Sequence, residues 1–222
     1  MRRWWVVAVL VALALTAAAC TAREDAGMTT PATDLLTAAE AGDAEAVTAA
    51  LRAGADVESR DSLGRTALLL AATHDHVSVA EVLVAEGASA DALDDRHDTP
   101  WLVTGVTGSV AMLEALLPAQ PDLTIRNRYG GVSIIPASER GHVDYVRRVV
   151  RTGIDVDHVN DLGWTALLEA VLLGDGGSRH QEIVRILLEA GADRSLADRD
   201  GVTALEHART KGHTEIARIL EG

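Results

Sequence analysis

The chain holds a single cysteine, Cys20, so no disulfide framework can form within it. Positive charge is scarce as well: 20 Lys and Arg stand against 33 Asp and Glu, a net charge of −13. That balance leaves no basic footprint for nucleic acid, and anionic lipid headgroups would repel the folded surface. Long apolar runs are missing too. The most apolar stretch, Trp4–Leu15, has twelve residues, too few to span a bilayer comfortably. Motifs that carry chemistry are absent: there is neither a G-x-S-x-G elbow nor a Gly-Lys-Ser/Thr phosphate loop. Ser133 and Ser138 have no positioned base beside them, and the pair Asp94-Asp95 falls in a polar turn. A polar turn is not expected to supply the burial that general acid work relies on. With 48% hydrophobic and 24% charged residues, the chain reads as globular rather than disordered.

What is present begins with a leader. Met1-Arg2-Arg3 is basic, Trp4–Leu15 apolar, and Ala17-Ala18-Ala19 a small-residue cleavage site, the layout of a signal peptide over residues 1–19. Cys20 follows at once. The junction resembles a bacterial lipobox, whose cysteine is diacylated and becomes the mature N-terminus. Ala17 stands where that pattern prefers Leu. The resemblance implies lipidation of Cys20, secretion across the cytoplasmic membrane and a lipid-anchored place at the cell membrane or envelope. The other reading is a plain secretory signal cut after Ala19, leaving a spare thiol. Residues 20–32 are small, polar and aperiodic, as a flexible tether is.

The rest is periodic. Asp61–Leu93 reads as a polar turn, a short apolar helix, a second apolar helix and a Gly-Ala loop. Its Gly64 recurs in column as His97, Gly130 and Gly163 at steps of 33 residues, then as Gly201 after 38. Its Gly87 recurs through Gly54, Gln120, Gly153 and Gly191. Thr66 is placed to cap the first helix, Val79, Val82 and Leu83 share one stripe of the second, and Gly87 supplies the left-handed residue that ends it. One such pair cannot bury its own apolar faces, so neighbours must stack.

A period of about 33 with a Thr-led core resembles the ankyrin repeat. The resemblance covers residues 33–222 and implies an all-α solenoid of about six helix-turn-helix repeats, near 33–60, 61–93, 94–126, 127–159, 160–197 and 198–222. The ends are polar, as capping repeats are. Trp101 reads as a large core residue. In the fourth repeat Pro136 falls inside the expected first helix, which is predicted to start late, near Pro136, after a distorted turn. The family's histidine column is Leu36, Leu69, Leu102, Ile135, Leu168 and Glu206 here, so turns held more by packing than by a polar network, and more mobile for it, are predicted. A different column, His76, His142, His180 and His213, reads as structural.

In the family, partners dock on the concave face of turn tips and first helices. The matching positions here include Leu63, Arg96, Asp98, Val106, Arg128, Tyr129, Glu139, Arg140, Asp161, Leu162, Trp164 and Leu173. Those with binding-type chemistry concentrate in repeats four and five, where Tyr, Trp and Arg are the types enriched at hot spots. The expected partner surface is Arg96, Asp98, Arg128, Tyr129, Glu139, Arg140, Asp161 and Trp164. The reading is a monomeric, non-catalytic scaffold that binds another protein in the cell envelope, with no cofactor and no metal. The alternatives are a metal-dependent or hydrolytic enzyme using His74 and His76 or the loop Gly174–Ser178, and a purely structural envelope spacer. Two histidines still need further ligands to hold zinc.

Overall fold

Residues 30–222 are described by a computed structural model. The leader, Cys20 and most of the tether lie outside the described residues. Twelve α-helices follow one another in pairs among the described residues. They are α1 (Pro31–Ala41) and α2 (Ala44–Arg52), α3 (Ala67–Thr73) and α4 (Val77–Ala85), α5 (Pro100–Thr107) and α6 (Val110–Leu116). The chain continues with α7 (Ile134–Glu139) and α8 (Val143–Val149), α9 (Ala166–Leu172) and α10 (Ser178–Glu189), α11 (Ala204–Thr210) and α12 (Thr214–Glu221). First helices pack on first helices and second helices on second helices, giving two layers around one continuous core. Ala71, Ala72, Leu68, Val79 and Leu83 are fully buried in it, and Trp101 is 1% exposed.

The first helices start where the sequence offers a threonine. The hydroxyls of Thr66, Thr99, Thr165 and Thr203 each accept the amide three residues on, at 3.1–3.4 Å, which satisfies a donor with no intrahelical partner. In the first repeat the cap is Thr30, not Thr33, with Pro31 at the first helical position. The helix therefore begins three residues ahead of a start capped by Thr33. In the fourth repeat Val132 replaces the threonine and no side chain caps α7. The helix nonetheless starts at Ile134 and takes Pro136 as its third residue, earlier than the expected start near Pro136. Amides of the first turn have no partner in any α-helix, so a proline there removes nothing. The distortion sits one residue earlier, at Ser133, which adopts helical rather than extended dihedrals.

Between the paired helices a glycine column meets a histidine column. A Cβ on Gly42, Gly108 or Gly176 would fall 2.7, 2.4 and 2.6 Å from the ring of His76, His142 and His213 in the following repeat. All three glycines have positive φ. The rings reach back further: Nε2 of His76, His142 and His180 lies 3.1, 3.2 and 2.9 Å from the carbonyl oxygens of Glu40, Val106 and Glu139. The exception explains the rule. Asp75 holds the glycine position with φ 59°, and there the next repeat presents Ser109, which caps α6 through the Met112 amide. With no ring to clear, a side chain is tolerated. The third repeat departs twice more: His97 and Gln120 take the glycine conformation at φ 62° and 53°, each storing about 1–2 kcal/mol of left-handed strain.

Tyr145 on α8 is fully buried. Its hydroxyl lies 2.7 Å from Thr104 Oγ1, which itself donates to the Trp101 carbonyl at 2.6 Å. Burial pushes its pKa up to about 12. This polar link ties α5 to α8 through the part of the stack with the least regular sequence. Beside it, α5 and α7 approach so closely that a Cβ on Gly105 would sit 1.9 Å from the Ser133 carbonyl oxygen. Gly105→Ala is therefore expected to destabilise the domain by about 1–3 kcal/mol through forced separation of the two helices, read as a lower urea midpoint.

A candidate binding trough

The turns that carry the site are built on a column the histidine comparison overlooks. Each opens on Asp61, Asp94, Asn127, Asn160 or Asp198, whose Oδ1 accepts the amides two and four residues on at 2.8–3.0 Å. The expectation of turns held more by packing than by a polar network is thus corrected: short polar side chains pin these five turns from within. Burial pushes the Asp61 carboxyl up, but the Arg65 and Leu63 amides and the Arg65 guanidinium hold it below the usual range. Asp198 is held low by the Val202 amide and by His207. Neighbouring turns are linked as well, the Asp95 amide donating to the Leu63 carbonyl at 3.1 Å and Asp161 to Tyr129 at 2.9 Å. These links present residues 63 and 129 outward at fixed spacing.

Between the turn tips and the ends of the first helices runs a trough of about 450 Å³. Arg96, Asp98, Arg128, Tyr129, Glu139 and Arg140 all line it, together with Leu63, Val103 and Val106. It continues past Tyr129, Pro136 and Glu139 into a recess of about 200 Å³ walled by Ile135, Asn160, Leu162, Glu169 and Leu173. Arg128 is braced across the trough, 3.1 Å from Asp98 Oδ2 and 4.7 Å above the Tyr129 ring centre. Tyr129, Leu162 and Leu173 are each at least 50% exposed, and Leu63 and Val106 are exposed as well. Large apolar side chains are thus left open beside the trough and its recess.

Two residues of the expected surface stand apart. Asp161 lies exposed at its turn, its backbone engaged with Tyr129 and Arg199, and does not line the trough. Trp164 is half-buried and packs against the core. A large apolar ring next to the helix start gains more by covering that core than by facing water. The residues that sequence reasoning underweighted are aliphatic: Leu63, Val106, Leu162 and Leu173 occupy contact columns but lack the chemistry that draws notice.

Glu169 was missed altogether. It is 5% exposed on α9, its Oε1 accepting from Asn160 Nδ2 at 2.9 Å. Burial raises its pKa to about 7, assisted by the charge of Glu139 and opposed by the Asn160 hydrogen bond. The faint signal is a spacing of nine residues from the turn residue, which returns as Asp198 and His207, 2.7 Å apart. The alternative sites are less organised. The rings of His74 and His76 stack at 5.8 Å, and among the described residues no three His, Cys, Asp or Glu side chains are grouped to hold a metal. In the loop Gly174–Ser178 the Gly177 amide is taken by Asp175 at 2.9 Å, and Asp175 also meets His180 at 2.8 Å. The loop satisfies itself rather than cradling an anion. No described helix is long and apolar enough to cross a membrane.

A family model of ankyrin repeats, in three copies, matches residues 35–127, 107–198 and 134–221. The chain belongs to the ankyrin-repeat family. It is 40% identical over 188 residues to the ankyrin repeat protein YahD of Escherichia coli (strain K12), covering 84% of this chain and 94% of that one. A solved ankyrin repeat domain from Acinetobacter baumannii AYE superposes with a TM-score of 0.81 at 44% identity, covering 84% of this chain and 95% of that one. The ankyrin repeat domain of Bcl-3, a member of the IkappaB protein family, gives 0.76 at 28% identity, with 85% of each chain covered. Ankyrin repeats are protein-interaction modules whose stacking creates an extended concave surface.

Glu169 sets a pH dependence with a definite sign. Its folded pKa, about 7, lies above the ordinary 4.5, so the stabilisation is complete below the unfolded value and is lost as pH rises through the folded one. The carboxyls of Asp61 and Asp198 are shifted down and act only in more acid solution. Between about pH 5 and about pH 8 the urea midpoint of the wild-type chain is expected to fall further than that of Glu169→Gln.

Proposed function

We propose that this chain is a non-catalytic scaffold that grips a protein partner in the trough of its second to fifth repeats. The observation that carries the reading is the row of exposed Leu63, Val106, Tyr129, Leu162 and Leu173, flanked by Arg96, Arg128 and Arg140 on one side of the charge balance and Asp98 and Glu139 on the other. Apolar anchors ringed by polar and charged groups are the composition of a binding hot spot. The stack is preorganised by its pinned turns, so little ordering entropy opposes association. Compared with the surface read from sequence, the centre moves: it includes the aliphatic anchors and leaves out Asp161 and Trp164.

The location belongs to the same proposal. The leader of residues 1–19 directs secretion, Cys20 takes the lipid, and the tether lets the repeats stand off the membrane. In this reading the partner is an envelope protein, and the folded surface, with the chain's net charge of −13, does not itself adhere to anionic lipid.

Two measurements test these statements. In a crosslinking pulldown from intact cells, the double variant Tyr129→Ala/Leu162→Ala is expected to lose the protein captured by the wild-type chain by more than about tenfold, since each anchor is worth roughly 1–2 kcal/mol. Its thermal melt stays near that of wild type, because both side chains are already half in water; retention of every captured protein would refute the trough. Cys20→Ser is expected to shift the mature chain from the membrane pellet to the soluble fraction and to abolish palmitate labelling, whereas an unlabelled wild-type chain would overturn the anchor.

A further inference from the structure

We propose that the recess beside Tyr129 is a receptor for one basic side chain, lysine or arginine, carried by the bound protein. The inference rests on the trough being the partner surface, and it names what that partner must bring. Three features of the recess converge.

The first is an acid pair without a counter-charge. Glu169 is buried to 95% by its 5% exposure and shares the recess lining with Glu139. No Lys, Arg or His among the described residues forms an ion pair with either; the neighbouring Arg128 is committed to Asp98 at 3.1 Å. The Glu169 carboxylate receives one hydrogen bond, at Oε1, and its Oε2 accepts none from the described residues. A buried carboxylate facing a like charge is costly unless a cation joins it.

The second feature is the rim. Tyr129, Leu162 and Leu173, 56%, 51% and 50% exposed, stand around the recess, and Ile135 lines its wall. That arrangement suits a long aliphatic stem with a charged head, which lysine and arginine alone provide. The third feature decides against a bare metal ion. Asn160 turns its amide NH₂ toward Glu169 and spends its carbonyl oxygen on the Leu162 and Trp164 amides. It therefore offers the recess a donor and no third oxygen ligand, whereas a hard cation needs a shell of oxygens.

The groups that act on Glu169 are the Glu139 charge from α7 and the Asn160 amide from the turn before α9. Binding a cation against them must release the proton that Glu169 holds near neutrality. The test uses the full chain and two small probes, Nα-acetyl-lysine N-methylamide and its uncharged counterpart, Nα-acetyl-norleucine N-methylamide. Carboxyl ¹³C NMR follows the Glu169 titration. The lysine probe is expected to move its midpoint down toward the ordinary carboxylate range and to bind about tenfold tighter than the norleucine probe, equivalent to about 1.4 kcal/mol. Glu169→Gln and, independently, Glu139→Gln at a less buried position are expected to erase that preference, while Asp161→Asn, outside the recess, leaves it intact. Equal binding of the two probes, or a preference that survives both glutamine variants, overturns the inference. If Tyr129→Ala/Leu162→Ala loses the cellular partner but both glutamine variants keep it, the trough stands and the basic receptor falls. If all of them keep it, both fail.

Discussion

Two short helices cannot hide their own apolar faces, and everything else in this molecule follows from how closely a neighbouring pair can come to hide them. The contact is set by small groups: Ala71 and Ala72 on a first helix, Gly105 against the Ser133 carbonyl, and the bare glycines on which histidine rings of the next repeat rest. Each removes a Cβ or a branched chain where two backbones meet. Apolar burial then provides the favourable term, at about 25 cal/mol per Å², while the geometry that permits it is specified repeat by repeat.

That constraint distributes roles among the side chains. Large core residues such as Trp101 and Tyr145 fill space where the repeat is least regular, and Thr104 satisfies the Tyr145 hydroxyl left inside. On the outer layer, second helices are joined by Arg147–Glu182 at 2.8 Å, Arg185–Glu215 at 3.0 Å and Arg148–Glu114. Exposed pairs of this kind contribute under about 1 kcal/mol each, so they adjust the stack rather than create it. The turns are autonomous units pinned by one Asp or Asn apiece. Because they need nothing from the core, their outward positions are free to vary, and the trough draws its chemistry from them.

A scaffold with rigid turns and an uncovered apolar row is matched to binding, with the specificity carried by the few polar groups among the apolar ones. Here those are the Asp98–Arg128 brace and the Glu139–Glu169 pair. The brace holds an aromatic ring at a fixed angle. The pair shares the lining of the recess, and under the proposal made above a partner that supplies a cation there gains both attraction and selectivity over a neutral competitor.

The repeat period, the threonine caps, the helix-ending glycines and the polar end repeats were legible in the chain because each is local: a cap or a left-handed residue acts within a turn of its own position. The Asx column was equally visible in period, though its meaning emerges only with the amides it accepts. Six of the eight residues expected on the partner face do share one trough, since their columns are fixed by the repeat. Trp164 and Asp161 do not, because a ring's choice between water and core depends on whether a neighbouring helix leaves room for it. Glu169 was hidden for the same reason. A glutamate on a short helix reads as solvated until the adjacent repeat buries it and sets Glu139 opposite. Identity and spacing thus decide which elements form and how they stack, while burial, and with it the charge and the chemistry of the recess, arises only when separate repeats close around the same space.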